Sequence, residues 1–209
     1  VDARLFTEEI VAQLSRIAIR PLRIAFDDIK TFDSYNKAIR MSAAAGLKEF
    51  SNYLLYNFMD QPVDLYKRLR INVELCDELN VNIYSFPMKY HPIRKGKCDA
   101  DDYSHNRDYI GKHWNRKYIR AVQAILNSTK GKIGRGMSFF LEAFGSTEDE
   151  YFELLEMPET FILYRFFFKW LDEKGSMGTD HWRTCWCHCM RTLDEVEKQN
   201  VLDIIHRNV

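Results

Sequence analysis

The sequence predicts an α/β protein, with parallel strands in its first half and an all-helical extension in its second. Three observations predict this. An apolar run that ends in polar residues recurs three times, as LRIAFDD (Leu22 to Asp28), EFSNYLLYNF (Glu49 to Phe58) and VNIYSFPMKY (Val81 to Tyr90). The runs start roughly 30 residues apart, about one strand plus one crossover helix. Each is apolar enough to suit a parallel strand covered on both faces. Beyond Tyr90 the pattern is helical, so the chain divides at about residue 95 into a sheet-bearing part, 1–95, and a helical part, 96–209.

The elements follow in order. Thr7 is a good N-cap for a first helix with Ile10, Val11, Leu14 and Ile17 on one face. Pro21 leads into the first strand. A second helix starts near Asp33, turns Tyr35, Ala38, Ile39 and Ala43 inward, and stops at Gly46. A third starts near Asp60 with Pro62 in its first turn, aligns Leu65, Leu69, Val73 and Cys76, and ends near Asn80. Strands alternating with amphipathic helices imply right-handed crossovers and a parallel sheet. His91 to Ser104 reads as a loop with acids at Asp99, Asp101 and Asp102, a spacing that fits no EF-hand. Helices are then expected over Arg107 to Thr129, Met137 to Phe144, Glu148 to Leu155, Glu159 to Asp172 and Leu193 to His206. Thr192 and Glu195 fit a capping box for the last.

Composition narrows the function classes. The 209 residues carry no formal net charge, which gives the whole chain no general attraction for nucleic acid or an anionic membrane. No run of about 18 apolar residues is present, so no membrane-spanning helix is expected. Five cysteines, an odd count, with no secretory leader, fit reduced thiols and a cytoplasmic location. The opening Val1-Asp2-Ala3-Arg4 lacks an initiator methionine and runs straight into a helical pattern. That reads as an excised part of a larger repeat architecture, or as a processed terminus. An open sheet edge at the first strand would then favour self-association.

Chemistry is expected at the carboxyl ends of the strands, where α/β folds bind ligands. Asp27 and Asp28, Tyr56 and Asn57, and Lys89 and Tyr90 stand there. A carboxylate directly after an apolar strand either meets a partner or caps the next turn. Alternation puts Asn52 and Tyr56 on one face and Asn57 on the other, while Met88 suits the wall of a flat ring.

At these residues the chain resembles the radical S-adenosylmethionine enzymes. VDARLF, LRIAFDD, AGLKEFSNYLLYNFMDQPVDLYKRLRIN and VNIYSFPMKY look like the later half of their partial (β/α) barrel, with 96–209 as a helical extension. The resemblance implies S-adenosylmethionine and a 4Fe-4S cluster in the parent protein. It implies reductive cleavage of the former and abstraction of a hydrogen atom from a substrate it does not identify. It places Arg4, Asp27, Asn52, Asn57 and Met88 near the cofactor and names no catalytic residue. The C-x-x-x-C-x-x-C cluster motif of the family is not in this sequence, so this chain alone is expected to hold neither cofactor and to be inactive.

Two other constellations compete. HWRTCWCHC places His181, Cys185 and Cys189 on one face of a helix, but the outer two lie about 12 Å apart at 1.5 Å per residue, too far for one ion. Buried, inert cysteines are the simpler reading there. A basic, aromatic stripe runs through Arg107, Lys112, His113, Trp114, Arg116, Lys117, Tyr118 and Arg120, then Lys130, Lys132 and Arg135, opposed only by Asp108. It offers an alternative function, a non-enzymatic module binding nucleic acid or protein through 107–135, against the plainer reading of a solvated helix face with Ile110, Trp114 and Ile125 buried. GKIGRG follows a helix and not a strand, which excludes a P-loop. No G-x-S-x-G, H-E-x-x-H or Rossmann fingerprint occurs.

Overall fold

A computed structural model describes residues 1–95, 103–105, 108–129, 131–163 and 191–207. The chain forms two units, Val1–Trp114 with Gly131–Ala143, and Asn115–Lys130 with Phe144–Val209.

The first unit is built on a three-stranded parallel sheet in the order β1-β2-β3, where β1 is Leu22–Arg23, β2 Glu49–Tyr56 and β3 Asn82–Lys89. Strands β2 and β3 pair without slip from Glu49↔Asn82 to Tyr56↔Lys89. The helices α2 (Phe32–Ala44) and α3 (Pro62–Leu79) connect them. Tyr35 of α2 and Asn72 of α3 both bond to Asn52 of β2, so both helices lie on the same face of the sheet. Leu22, Ile24 and Phe26, then Phe50, Leu54 and Tyr56, then Ile83, form the buried layer beneath them.

The expectation of a sheet covered on both faces is corrected. Of the opposite parity, Arg23, Ala25, Tyr53 and Met88 are exposed, the last two at 41% and 48%, Leu55, Tyr84 and Phe86 are half-buried, and Ser51 is buried. The apolar runs conceal an alternation, because Tyr, Phe and Met serve on the open face where a polar residue was expected.

Local chemistry explains the boundaries. In α1 (Glu8–Leu14) the Thr7 Oγ1 accepts from the Ile10 amide at 3.3 Å, but only Val11 of the anticipated face is buried. Strand β1 is shorter than its apolar run because the Phe26 and Asp27 carbonyls accept from Arg68 instead of joining the ladder. Helix α3 begins two residues after Asp60, with Gln61 as N-cap and the Asp64 carboxylate accepting the Gln61 amide at 2.8 Å. It buries Leu65, Leu69, Val73 and Cys76 and ends at Asn80 in the left-handed region (φ 50°). The Cys76 sulfur accepts the Ile83 amide, and burial pushes its thiol pKa up.

The helical half departs from expectation in three places. Strands do occur after Tyr90: β4 (Ile93–Lys95) and β5 (Tyr103–His105) pair antiparallel across the segment read as a loop. The helix expected from Arg107 starts only at Arg116 (α4, Arg116–Ser128), because Gly111 and Trp114 are committed to β2's end and Asn115 caps the helix through the Tyr118 amide at 2.7 Å. The last helix, α7 (Glu195–Arg207), is capped reciprocally by Asp194 and Glu197, not by Thr192 and Glu195. Helices α5 (Met137–Phe144) and α6 (Glu148–Glu156) fall where expected. Of the helix expected over Glu159 to Asp172, residues 159–163 are described and helical. Among the described residues no helix is long and apolar enough to cross a membrane.

In the second unit α4 packs on α6 and buries Lys117, whose Nζ donates to the Met157 carbonyl. Burial depresses this ammonium's pKa below its ordinary 10.5. The unfolded chain therefore binds that proton more tightly than the native one does, and Lys117's contribution makes stability rise as pH climbs from the depressed value toward 10.5. Urea melts at a series of alkaline pH values are expected to show this rise in the native protein and its loss in Lys117→Met. An identical profile in both would show that the amine is hydrated.

Candidate functional site

The carboxyl ends of the three strands are gathered at one edge of the sheet, and two side chains gather them. The first is Arg68 of α3, fully buried. Its guanidinium donates to the carbonyls of Phe26 (3.2 Å) and Asp27 (2.9 Å) at the end of β1, and of Leu55 (2.8 Å) in β2. Its Nε donates to Asp64, one turn back, and Asp60 supplies a carboxylate at 3.5 Å. Burial pushes Asp60 above the usual carboxylate range, against the Phe58 amide and the Arg68 charge that hold it down.

The second is Asn57, buried and left-handed at φ 68°. Its amide nitrogen donates to the Tyr90 and Tyr109 carbonyls, both at 3.0 Å, and its oxygen accepts the Gly111 amide at 2.8 Å. A side chain at 111 would put its Cβ 2.4 Å from the Phe58 carbonyl oxygen, so this docking requires glycine. The Trp114 indole closes the arrangement by donating to the Asp60 carbonyl at 3.0 Å.

These contacts decide what each anticipated residue can do. Asn52 is buried on the helix face in a network: its amide donates to the Tyr35 hydroxyl, which donates to Asn72, which donates to Ser85. Burial raises the Tyr35 hydroxyl pKa well above its ordinary value, so it stays neutral. Asn52 and Tyr56 do share a face, but it is the helix-covered one. The amide of Asn57 is spent on backbone groups. The side-chain amides of Asn52 and Asn57 both bond to protein groups.

Asp27 is exposed, and Met88 lies half-exposed on the open face. Asp28 is the residue that caps, accepting the Lys30 amide at 2.9 Å. Arg4 is exposed and held by Asp2 through Nε (3.0 Å) and Nη2 (2.6 Å), which brings the Asp2 carboxyl down to about 2. Arg4, Asp27, Asp28 and Thr31 border an open cleft of about 460 Å³. The edge of β1 there carries Val1, whose amine donates to the Arg23 carbonyl and whose carbonyl accepts the Ala25 amide.

Lys117 is buried, Arg120 pairs with Glu159 at 2.6 Å, and Arg135 pairs with Asp77 and donates to Asn80. Trp114 and Ile125 are buried as the solvated-face reading expects, but Ile110 is exposed. Gly131 to Gly136 forms an antiparallel bridge from Ile133 to Ser85 and leads into α5 at Met137. His181, Cys185, Cys189, Asp99, Asp101, Asp102, Arg107 and Lys130 lie outside the described residues. Among the described residues no cluster of three His, Cys, Asp or Glu side chains could hold a metal ion.

Sequence reasoning missed Arg68, Tyr35 and Asn72 as a polar framework. A signal existed: Arg68 and Asn72 stand four apart inside the apolar stripe of Leu65, Leu69, Val73 and Cys76, so both had to be buried.

No protein-family model matches the chain, and no curated protein or solved structure matches it.

Proposed function

We propose that residues 1–95 are the later half of a radical S-adenosylmethionine barrel and that its chemistry takes place over the carboxyl ends of β1 to β3. The observation that carries this reading is the sheet itself. Its strands are parallel and in sequence order, both crossover helices lie on one face, and the other face is open. Successive right-handed units wound in one direction curve toward a (β/α) barrel, whose interior would be that open face. The strand texts that resemble the family lie on these same elements.

The residues fit the two implied groups unequally. The described part of the chain has no donor set for an iron–sulfur cluster. The adenosyl group of S-adenosylmethionine has partial support: Asp27 offers an exposed carboxylate to ribose hydroxyls, and Met88 with Phe86 offers a flat apolar wall. When bound at a cluster, S-adenosylmethionine supplies a radical able to abstract hydrogen. Arg68 and Asn57 serve this site indirectly, by fixing the backbone from which Asp27 and Met88 project.

The test is made on a form of the protein that includes the coding region upstream of Val1. This reading expects a three-cysteine loop there, a cluster absorbance band after anaerobic reconstitution, and 5′-deoxyadenosine on reduction. Asp27→Ala is expected to weaken S-adenosylmethionine binding about tenfold, the loss of a charge-assisted hydrogen bond. Neither band nor product, in a folded protein, would refute the proposal.

A further inference from the structure

The open face of the sheet carries an ordered arrangement that extends beyond Phe86 and Met88, the two residues on it assigned above to the adenosyl group. Register fixes its rows. Arg23, Ser51 and Tyr84 stand side by side across the three strands, and Tyr53 and Phe86 stand side by side in the next row toward the carboxyl ends. Strand spacing puts Arg23 and Tyr84 about 10 Å apart across Ser51, and two residues of rise put the rows about 7 Å apart.

Each end of the first row holds a cation over an aromatic ring. The Arg23 guanidinium lies 4.8 Å from the Tyr53 ring centre, and its Nε donates to the Ser51 hydroxyl at 3.4 Å. The Lys132 ammonium lies 4.2 Å from the Tyr84 ring centre, brought there by the Ile133–Ser85 bridge. Neither cation has a carboxylate within ion-pair distance among the described residues. The nearest acid in register, Glu49, accepts from Asn82 at 2.8 Å and hydrogen-bonds the Tyr84 hydroxyl. By contrast Arg40, Arg70, Arg120 and Arg135 all have acidic partners. In the second row the Tyr53 and Phe86 rings meet at 5.9 Å, and Tyr53 stays 41% exposed although the Arg23 guanidinium lies over its ring, so part of the aromatic pair is accessible.

Two cations without a carboxylate partner among the described residues, one on either side of the buried Ser51, make a seat for one anionic group, and an aromatic pair one row away makes a seat for a ring. We infer that this face binds a planar, ring-containing small molecule that carries a carboxylate or phosphate, with the anion between Arg23 and Lys132 and the ring on Tyr53 and Phe86. The ligand would lie along the strands with its uncharged end toward the carboxyl edge, where Leu55 and Met88 continue the apolar surface. The site stands on the geometry of the open face alone and needs neither cluster nor S-adenosylmethionine.

Equilibrium dialysis of the whole chain against 2-naphthoate and its neutral counterpart 2-naphthylmethanol tests the charge requirement; 2-naphthyl phosphate tests whether phosphate serves as well. Both anions are expected to bind at least about tenfold more tightly than the alcohol. Arg23→Gln and Lys132→Gln are each expected to erase most of that preference without changing the alcohol's affinity or the circular dichroism spectrum. Tyr53→Ala is expected to weaken all three ligands. A preference for one anion over the other decides between carboxylate and phosphate. Equal binding of anion and alcohol, anion binding untouched by either Gln variant, or no binding at millimolar concentration overturns the inference. The dialysis is read without reductant or iron, so a failed radical assay leaves its outcome intact.

Discussion

Arg68→Met is expected to cost about 3–5 kcal/mol of stability, the usual cost of breaking a buried charge pair from one side. The methionine fills much of the space but leaves the carbonyls of Phe26, Asp27 and Leu55 without their donor and the half-buried Asp60 without its cation. Domains of this size hold only about 5–15 kcal/mol in total, so the variant should be close to unfolding at body temperature. Arg68→Lys keeps a charge but loses the planar fork that reaches several carbonyls at once, and should recover only part of the loss. Adding Asp60→Asn to Arg68→Met removes the stranded carboxylate and should return a portion of the stability, a sign of coupling between the two sites. Urea denaturation of the four proteins measures this. A loss below about 1 kcal/mol in Arg68→Met would mean that water reaches the carbonyls and that the clamp is not what holds β1 to β2.

Asn57→Ala is expected to be the other most damaging change, at about 4 kcal/mol. Three hydrogen bonds to backbone groups disappear, each worth about 1 kcal/mol net, and an alanine must also hold a left-handed backbone. Asn57→Gly separates the two contributions, since glycine accepts φ 68° without strain while still losing the amide, and it should be less harmful by about 1 kcal/mol. Asn57→Asp is a sharper probe. Its carboxylate can still accept from Gly111 but would face the Tyr90 and Tyr109 carbonyls with no proton to offer. Hydrogen exchange at the Gly111 amide gives the local readout: protection should fall in Asn57→Ala and persist in part in Asn57→Asp. Full protection of Gly111 in Asn57→Ala would show that the segment 109–114 is held by Trp114 and its contact with Asp60 alone.

Both changes act on the strand ends without touching the face on which a ligand would lie. They therefore offer a way to separate support from contact. A variant such as Asp27→Ala, at an exposed carboxylate, should leave stability within about 0.5 kcal/mol of the native value, as surface changes do. If binding responds to Asp27 and folding to Arg68 and Asn57, the division of labour at this edge is established. If Asp27→Ala unfolds the chain instead, the carboxylate is part of the framework.

The sequence by itself determined the parts of the molecule that rest on local periodicity and end chemistry. The stripes of α2 and α3, the cap at Thr7, the stops at Gly46 and Asn80, and the three apolar runs were all readable, because helix faces and turn residues are set within a few positions of each other. The edge at which Asp27, Asn57 and Lys89 collect followed from the parallel order alone. Tertiary structure decided the rest. Only it could show that Arg68 reaches two strand ends, that Asn57 bonds to backbone carbonyls far along the chain, and that Gly111 and Trp114 delay α4 to Arg116. Only it could show that one face of the sheet stays open. Those outcomes depend on donors and acceptors separated by dozens of residues. A buried polar group takes whichever partner the fold brings within about 3 Å, and sequence spacing carries no record of that choice.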